Sequence, residues 1–365
     1  MELYYQGKKR REDILMNIIS NEPYLCDIET SNLFKGDNIK ILGKIFSSYQ
    51  NKIDLIYIDP PFNTNQEFVS SYNRTSTISR VNEGELAYSD KMNEEDYIEF
   101  IRERLIILRE LLSEEGSIYF HIDVKIGHYI KVVMDEIFGK DNFKNDITRI
   151  KSNPKNFSRR AFGNQKDVIL FYAKNAKKNI FNNVVTDLSE TDKIRMFKKI
   201  DDSGRRYNTV PVHAPGETRN GVTGQEWNGL FPPPGRHWRM SPKELDELDN
   251  KGLIEWSKNN VPRIKNYADE HKGKKIQDTW DFKDPAYPNY PTEKNLTMLK
   301  MIVSQSSHLN SIVLDCFAGG GSTLFAAEQL GRKWIGMDKS DLSIEAIKKR
   351  MINVDYSYND LSDLQ

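Results

Sequence analysis

Between Ser311 and Leu330 the chain reads as an apolar strand closed by an acid, three consecutive glycines, and then a helix. The residues are Ser311-Ile312-Val313-Leu314-Asp315-Cys316-Phe317-Ala318-Gly319-Gly320-Gly321-Ser322-Thr323, with Ser322 to Leu330 helical and Gly331 ending the helix. Glycines in that turn let a ligand approach the backbone closely, and the helix N-terminus offers free N–H groups to an anion. The next strand, Trp334 to Asp338, also ends in an acid, placed where a carboxylate can accept both hydroxyls of a ribose. Strands alternating with helices predict an α/β fold, with a mostly parallel sheet whose ligands bind beyond the carboxyl ends of the strands.

Two common occupants of such a turn are excluded. The nicotinamide fingerprint G-x-G-x-x-G/A fails, because Gly319-x-Gly321 is followed by Leu324. A phosphate loop fails as well: Gly43-Lys44 has Asn38 in place of the first glycine and Ile45 in place of Ser or Thr. A ribose-containing ligand with an amino acid end remains, for which Asp315 supplies a partner to a cationic amine.

The same alternation is legible earlier in the chain. Ile53 to Ile58 is a buried strand, dense in β-branched and aromatic residues and stopped by Asp59-Pro60-Pro61. Residues 63 to 90 lack apolar periodicity and read as a long loop. Tyr97, Phe100, Ile101, Arg104, Leu105, Leu108, Leu111 and Leu112 form one stripe of a helix ending near Gly116. Ser117 to Ile122 is a strand, about 125 to 138 a helix, and Asp146–Ile150 and Val168–Tyr172 two further strands flanking a basic segment. From about 176 to 290 prolines and tryptophans crowd in (Pro232-Pro233-Pro234, Trp227, Trp238, Trp256) and the alternation is lost. It resumes with a helix over about 293 to 306. The expected plan is an arm over 1–30, one half of the α/β domain over 31–175, an inserted module over 176–288, the second half over 289–350, and a tail over 351–365.

Asp59-Pro60-Pro61-Phe62 sits at the carboxyl end of its strand, and its parts suit one task. The exocyclic amine of adenine or cytosine is a poor nucleophile because its lone pair is delocalised into the ring. Two acceptors on its two N–H bonds draw it toward tetrahedral geometry and free the lone pair. The Asp59 carboxylate is one acceptor. The Pro60 carbonyl is the other, held by consecutive prolines that fix φ and restrict the preceding residue. Phe62 offers a face for an extruded base, worth roughly 1–3 kcal/mol against an unstacking cost of a few kcal/mol.

Charge and cysteine content bound the rest. With 53 Lys and Arg against 53 Asp and Glu the net charge is zero, yet Arg149 to Arg206 holds 15 basic and 6 acidic residues, an asymmetry that suits a basic face turned to a polyanion. Candidate phosphate or base contacts are Lys151, Lys155, Arg159, Arg160, Arg205, Arg206, Arg236 and Arg239. Two cysteines, Cys26 and Cys316, make no disulfide framework, and no Cys/His cluster has zinc spacing, so no metal is expected. No apolar run is long enough for a membrane span, and no apolar segment follows the basic start at Lys8 to Arg11, so a cytoplasmic setting is expected. None of the six histidines forms an i, i+4 metal pair. His121, at a strand end, reads as structural.

Taken together, Asp59-Pro60-Pro61-Phe62 preceding Phe317-Ala318-Gly319-Gly320-Gly321-Ser322-Thr323 resembles the β-group of bacterial DNA amino-methyltransferases. Tyr290-Pro291-Thr292-Glu293-Lys294 and Phe34-Lys35-Gly36-Asp37-Asn38 match further elements of that family. The resemblance covers about residues 30 to 175 and 285 to 350, and extends to the Mod subunits of type III restriction-modification systems, for which this chain is short. It implies a Rossmann-like, seven-stranded, mostly parallel sheet with a reversed last hairpin at Asp146 to Tyr172, and a target-recognition region in the insertion. It further implies S-adenosyl-L-methionine held by Asp37 (adenine), Asp338 (ribose), and Asp315, Phe317, Gly319, Gly321, Ser322 and Thr323 (methionine end), with Lys294 near the cofactor's carboxylate. Gly320 stands where the family often has Ser, a change the turn is expected to tolerate. Asp at position 59 favours N6 of adenine, with cytosine N4 or an RNA amine as the alternative. A cytosine-C5 enzyme is excluded, since Leu25 and Asp315 rather than prolines precede the cysteines. Double-stranded DNA is the expected partner; a restriction subunit and a second copy of the chain are the protein partners the resemblance allows.

Overall fold

The structure, a computed structural model, describes residues 2–363 other than 20–21, 25, 62–66, 71–84, 90–91, 152–159, 161, 219, 286–287, 289 and 291–292, and for 67–70 and 85–89 the main chain alone. The chain divides into two compact units, Met1–Val184 with Gln277–Gln365, and Val185–Ile276.

The first unit is built on a sheet of nine strands among the described residues: β1 (Asn32–Lys35), β2 (Ile53–Ile58), β3 (Leu112–Ile122), β4 (Phe143–Ile150), β5 (Lys166–Ala173), β6 (Thr279–Asp281), β7 (Ile312–Asp315), β8 (Lys333–Asp338) and β9 (Ser357–Asp360). Their order is β6-β4-β5-β3-β2-β7-β8-β1-β9. From β3 to β9 every pairing is parallel. The reversal comes at β5, antiparallel to both β3 and β4. Seven of these strands form the expected sheet, and one more pairs at each edge.

Both edge strands depart from the sequence reading for one reason: three and four residues are too few for an alternating side-chain pattern to show. β9 lies in the expected tail yet runs parallel to β1. β6, assigned to the insertion, pairs with β4, and its Trp280 is buried. The expected loop over 63–90 also carries a short antiparallel ladder, Glu67–Ser70 with Glu85–Ser89, too brief for a period to show.

Helices α1 (Arg11–Ile18), α2 (Asn38–Tyr49), α3 (Glu94–Leu111), α4 (Val124–Phe138), α5 (Leu296–Ser306), α6 (Ser322–Gln329) and α7 (Asp341–Arg350) complete the unit. The α3 stripe buries Tyr97, Ile101, Leu105, Leu108 and Leu111 in one core with α2, α4 and the sheet. Full burial of one such side chain is worth about 1.5–3 kcal/mol. Asn93 caps α3, and Glu94, Glu95 and Asp96 complement the positive end of its dipole. Asp54 locks three strands at the sheet centre, accepting from the Ser113 hydroxyl at 3.0 Å and the Ile312 N–H at 3.2 Å. The arm is not detached: Ile14 of α1 is buried in the same core.

The second unit is small and aromatic. Its four-stranded antiparallel sheet runs Ile254–Trp256, Pro262–Tyr267, Arg206–Pro211, Lys199–Ile200. His213–Pro215 pairs separately with Arg236–Trp238. Val212, Trp227, Trp238, Leu245 and Ile254 form the core, with Trp256 stacked on Trp227 at 5.3 Å between centroids. Each indole N–H finds an acceptor, as buried tryptophans require: Asp246 for Trp227, the Gln225 carbonyl for Trp238, and Asp249 for Trp256.

Candidate active site

The carboxyl ends of β2, β7, β8 and β1 open on one cavity of about 250 Å³. Asp59, Asp315, Asp338 and Asp37 all line it, because in a parallel sheet the residues that end neighbouring strands lie side by side.

Around the glycine turn, Gly319 and Gly321 take φ values of +49° and +72°, which side chains rarely adopt. The turn is tied to the next strand through Asp338, which accepts from the Gly319 and Ser340 N–H groups, each at 2.9 Å. Burial raises the Asp338 pKa, and these two N–H groups oppose the rise. Asp315 is buried and accepts from the Phe317 N–H at 3.0 Å. Burial pushes its carboxyl up to about 7, against hydrogen bonds from Thr323 and Phe317. A buried acid of that kind is expensive to ionise alone and is stabilised by a cation brought to it. Gly320 is less permissive than expected: a Cβ there would lie 2.7 Å from Tyr290 Cβ. The buried Tyr290 covers the turn and lines the cavity. Ser322, at the start of α6, already accepts from Arg350 at 2.8 Å, and Arg350 also pairs with Glu293.

At the far wall, Asp37 caps α2 through the Ile39 N–H and lies 3.4 Å from Arg104. Arg104 is buried, stacked over the Phe100 ring at 3.5 Å, and donates to Asn38 at 2.8 Å. Burial lowers its pKa to about 10, and Asp37 opposes that shift. Asn38 in turn donates to the Cys316 carbonyl at 2.7 Å. Phe100 lies 6.1 Å from Phe317 between centroids, which makes this end of the cavity aromatic. Sequence reasoning passed over Arg104, although a cation inside an otherwise apolar stripe was the available signal.

Asp59 has two different faces. Oδ2 is ion-paired with Lys294. Oδ1 is buried, has no hydrogen-bond partner among the described residues, and faces His121 Nδ1 at 3.7 Å. Pro60 is buried, and the Pro61 carbonyl accepts from the Tyr97 hydroxyl at 2.6 Å, so the turn is pinned to α3. Phe62, the expected stacking face, lies outside the described residues. Lys294 thus stands against Asp59, in the same cavity as the glycine turn.

The candidate polyanion contacts divide sharply. Lys151 is committed inward, 2.5 Å from Asp167. Arg205 is held by Asp269 and Glu270 at 2.7–2.8 Å. Arg206 is half-buried, with its guanidinium at 3.5 Å from the Phe197 carbonyl. Arg236 and Arg239 are exposed and bond to neutral groups, His213 and the Pro211 carbonyl. Arg160 is exposed. Lys155 and Arg159 lie outside the described residues.

The family model described as DNA methylase matches residues 53–349. The chain belongs to the DNA methylase family. Within it, the chain is 42% identical over 305 residues to the type II methyltransferase M.EcaI of Enterobacter cloacae, covering 82% of this chain and 64% of that protein. It is 26% identical to M.KpnI of Klebsiella pneumoniae over 93% of this chain and 86% of the relative. It is 28% identical to the EcoPI Mod subunit of Escherichia phage P1 over 82% of this chain and 55% of that subunit. The chain therefore spans under two thirds of M.EcaI and about half of the Mod subunit. Among the described residues no helix is long and apolar enough to cross a membrane, and no group of three or more His, Cys, Asp or Glu could hold a metal.

Proposed function

We propose that this DNA methylase transfers a methyl group from S-adenosyl-L-methionine to N6 of an adenine extruded from duplex DNA, within a restriction-modification system or as a solitary epigenetic enzyme. The observation that carries the reading is that one cavity joins Asp59 to the Asp315–Asp338 glycine turn. S-adenosyl-L-methionine supplies an electrophilic methyl on a sulfonium. The residues present suit it: Asp338 for the ribose hydroxyls, Asp315 for the ammonium, Phe100 and Phe317 beside Asp37 for the adenine. Asp59 and the Pro60 carbonyl accept the two N–H bonds of the target amine, with Phe62 as its stacking face. Lys294 must yield Oδ2 of Asp59 to that amine. The second unit is the target-recognition region, with Arg236 and Arg239 as its polyanion contacts and Arg160 as that of the reversed hairpin in the first unit.

The test is transfer of labelled methyl to plasmid DNA, followed by long-read sequencing for modified bases in a shared motif. Modified adenines support the reading. Modified cytosines move the reaction to N4 in the same pocket, and label found in RNA alone overturns it.

A further inference from the structure

A buried chain of polar groups runs behind Asp59 that the methyl transfer itself does not use. His121 is fully buried at the end of β3. Its Nδ1 lies 2.9 Å from the Tyr57 hydroxyl and 3.7 Å from Asp59 Oδ1, and its Nε2 lies 3.2 Å from Asp167 Oδ2. Asp167 is itself held by Lys151 and, at 3.5 Å, by Arg149. The charged groups bearing on the imidazole are thus Asp59 from beyond β2, Asp167 from β5 and Lys294 from before α5, with Arg149 and Lys151 one contact further out.

The hydrogen bonds settle the tautomer. An ionised carboxylate only accepts, so Nε2 carries the proton toward Asp167 and Nδ1 keeps its lone pair, to which the Tyr57 O–H donates. Burial lowers the imidazole pKa below its ordinary value, with Asp59 and Asp167 opposing. Burial alone would raise Asp167, but His121 and Lys151 outweigh it and hold the carboxyl well below its usual range. A neutral imidazole, oriented by a buried carboxylate, with its Nδ1 lone pair held by the Tyr57 hydroxyl and lying 3.7 Å from a second carboxylate, can serve as a base once that hydroxyl gives way.

We propose that His121 is a positioning residue that acts through Asp59, receiving by way of that carboxylate the proton given up by the methylated amine. The step rests on the amino-methyltransferase reading above and balances as follows. The amine lone pair forms the N–C bond while the methyl–sulfur bond breaks, its electron pair staying on sulfur. One N–H bond of the resulting cationic nitrogen breaks, its pair returns to nitrogen, and the proton passes to Asp59. A turn of the carboxyl brings the O–H to the His121 side, where the 3.7 Å separation must close by about 1 Å to reach hydrogen-bond distance. Nδ1 takes the proton and releases the Tyr57 donor. Asp59 is a carboxylate again, and the imidazolium lies between two anions.

The experiment is the pH dependence of single-turnover methyl transfer to duplex DNA, with cofactor affinity measured separately by calorimetry. In the wild type the rate should fall along a one-proton limb below the imidazole pKa, because an imidazolium cannot accept. His121→Asn should bind the cofactor normally, lose about 10²-fold in rate, and lack that limb. Two further variants move the limb in opposite directions if His121 owns it. Tyr57→Phe removes the donor that favours the neutral ring and shifts the limb up; Asp167→Asn removes the anion that favours the cation and shifts it down. The pair keeps the test decisive even where His121→Asn does not fold. A limb that survives unchanged in His121→Asn, or stays put in both other variants, overturns the proposal while leaving the methyltransferase reading intact. Failure of the wild type to methylate DNA at all overturns that reading instead.

Discussion

Asp315 offers the most quantitative prediction. Its carboxyl, lifted by burial to about 7, is only partly ionised near neutrality by itself, whereas a cationic amine set against it holds it fully ionised. Cofactor affinity should then follow the ionised fraction. That fraction is roughly a tenth at pH 6 and about half at pH 7, so affinity should rise about five-fold over that unit, ~1 kcal/mol, with about half a proton released per cofactor bound at pH 7. Calorimetry in two buffers of different ionisation enthalpy measures both quantities. Asp315→Asn should bind more weakly and flatten the dependence. An affinity that does not change between pH 6 and 7 in the wild type, or the same slope in Asp315→Asn, refutes the pairing. The same shift governs stability. Because the folded pKa lies above the unfolded value, the contribution of Asp315 is fully present below about pH 4 and is lost as pH rises toward 7. Asp315→Asn should therefore raise the melting temperature of the unliganded protein more at pH 8 than at pH 5.

Asp59→Ala should cut turnover by at least about 10²-fold, as loss of one preorganised hydrogen-bonding group does, and near-normal label transfer by this variant would contradict the mechanism. Asp338→Ala should chiefly weaken cofactor binding in calorimetry, since its oxygens also tie the glycine turn to β8; an unchanged affinity removes it from the site. Gly320→Ser should destabilise by about 1–3 kcal/mol, the cost of overpacking against Tyr290, read as a lower melting temperature. Arg239→Ala should lower the salt dependence of DNA affinity by about one unit of slope, while replacing Arg205, already neutralised by Asp269 and Glu270, with Ala should leave that slope nearly unchanged. Equal effects from the two would refute that division.

What the chain's order of residues settled by itself was local. A strand that ends in an acid before a glycine turn and a helix carries its geometry within a dozen residues, and so does an acid followed by two prolines. That is why the α/β alternation and both halves of the cavity were legible in the sequence, whereas the reversal of the hairpin was expected only from the family resemblance. Long-range pairing decided the rest. Whether Lys294 meets Asp59, whether Tyr290 leaves room at Gly320, and whether Arg205 or Arg239 keeps its charge for a partner all depend on groups brought together from distant segments. A cation looks the same in sequence whether or not a carboxylate lies against it. His121 shows the limit most clearly: it reads as one more polar residue at a strand end, and only the closed sheet sets it between Tyr57, Asp59 and Asp167.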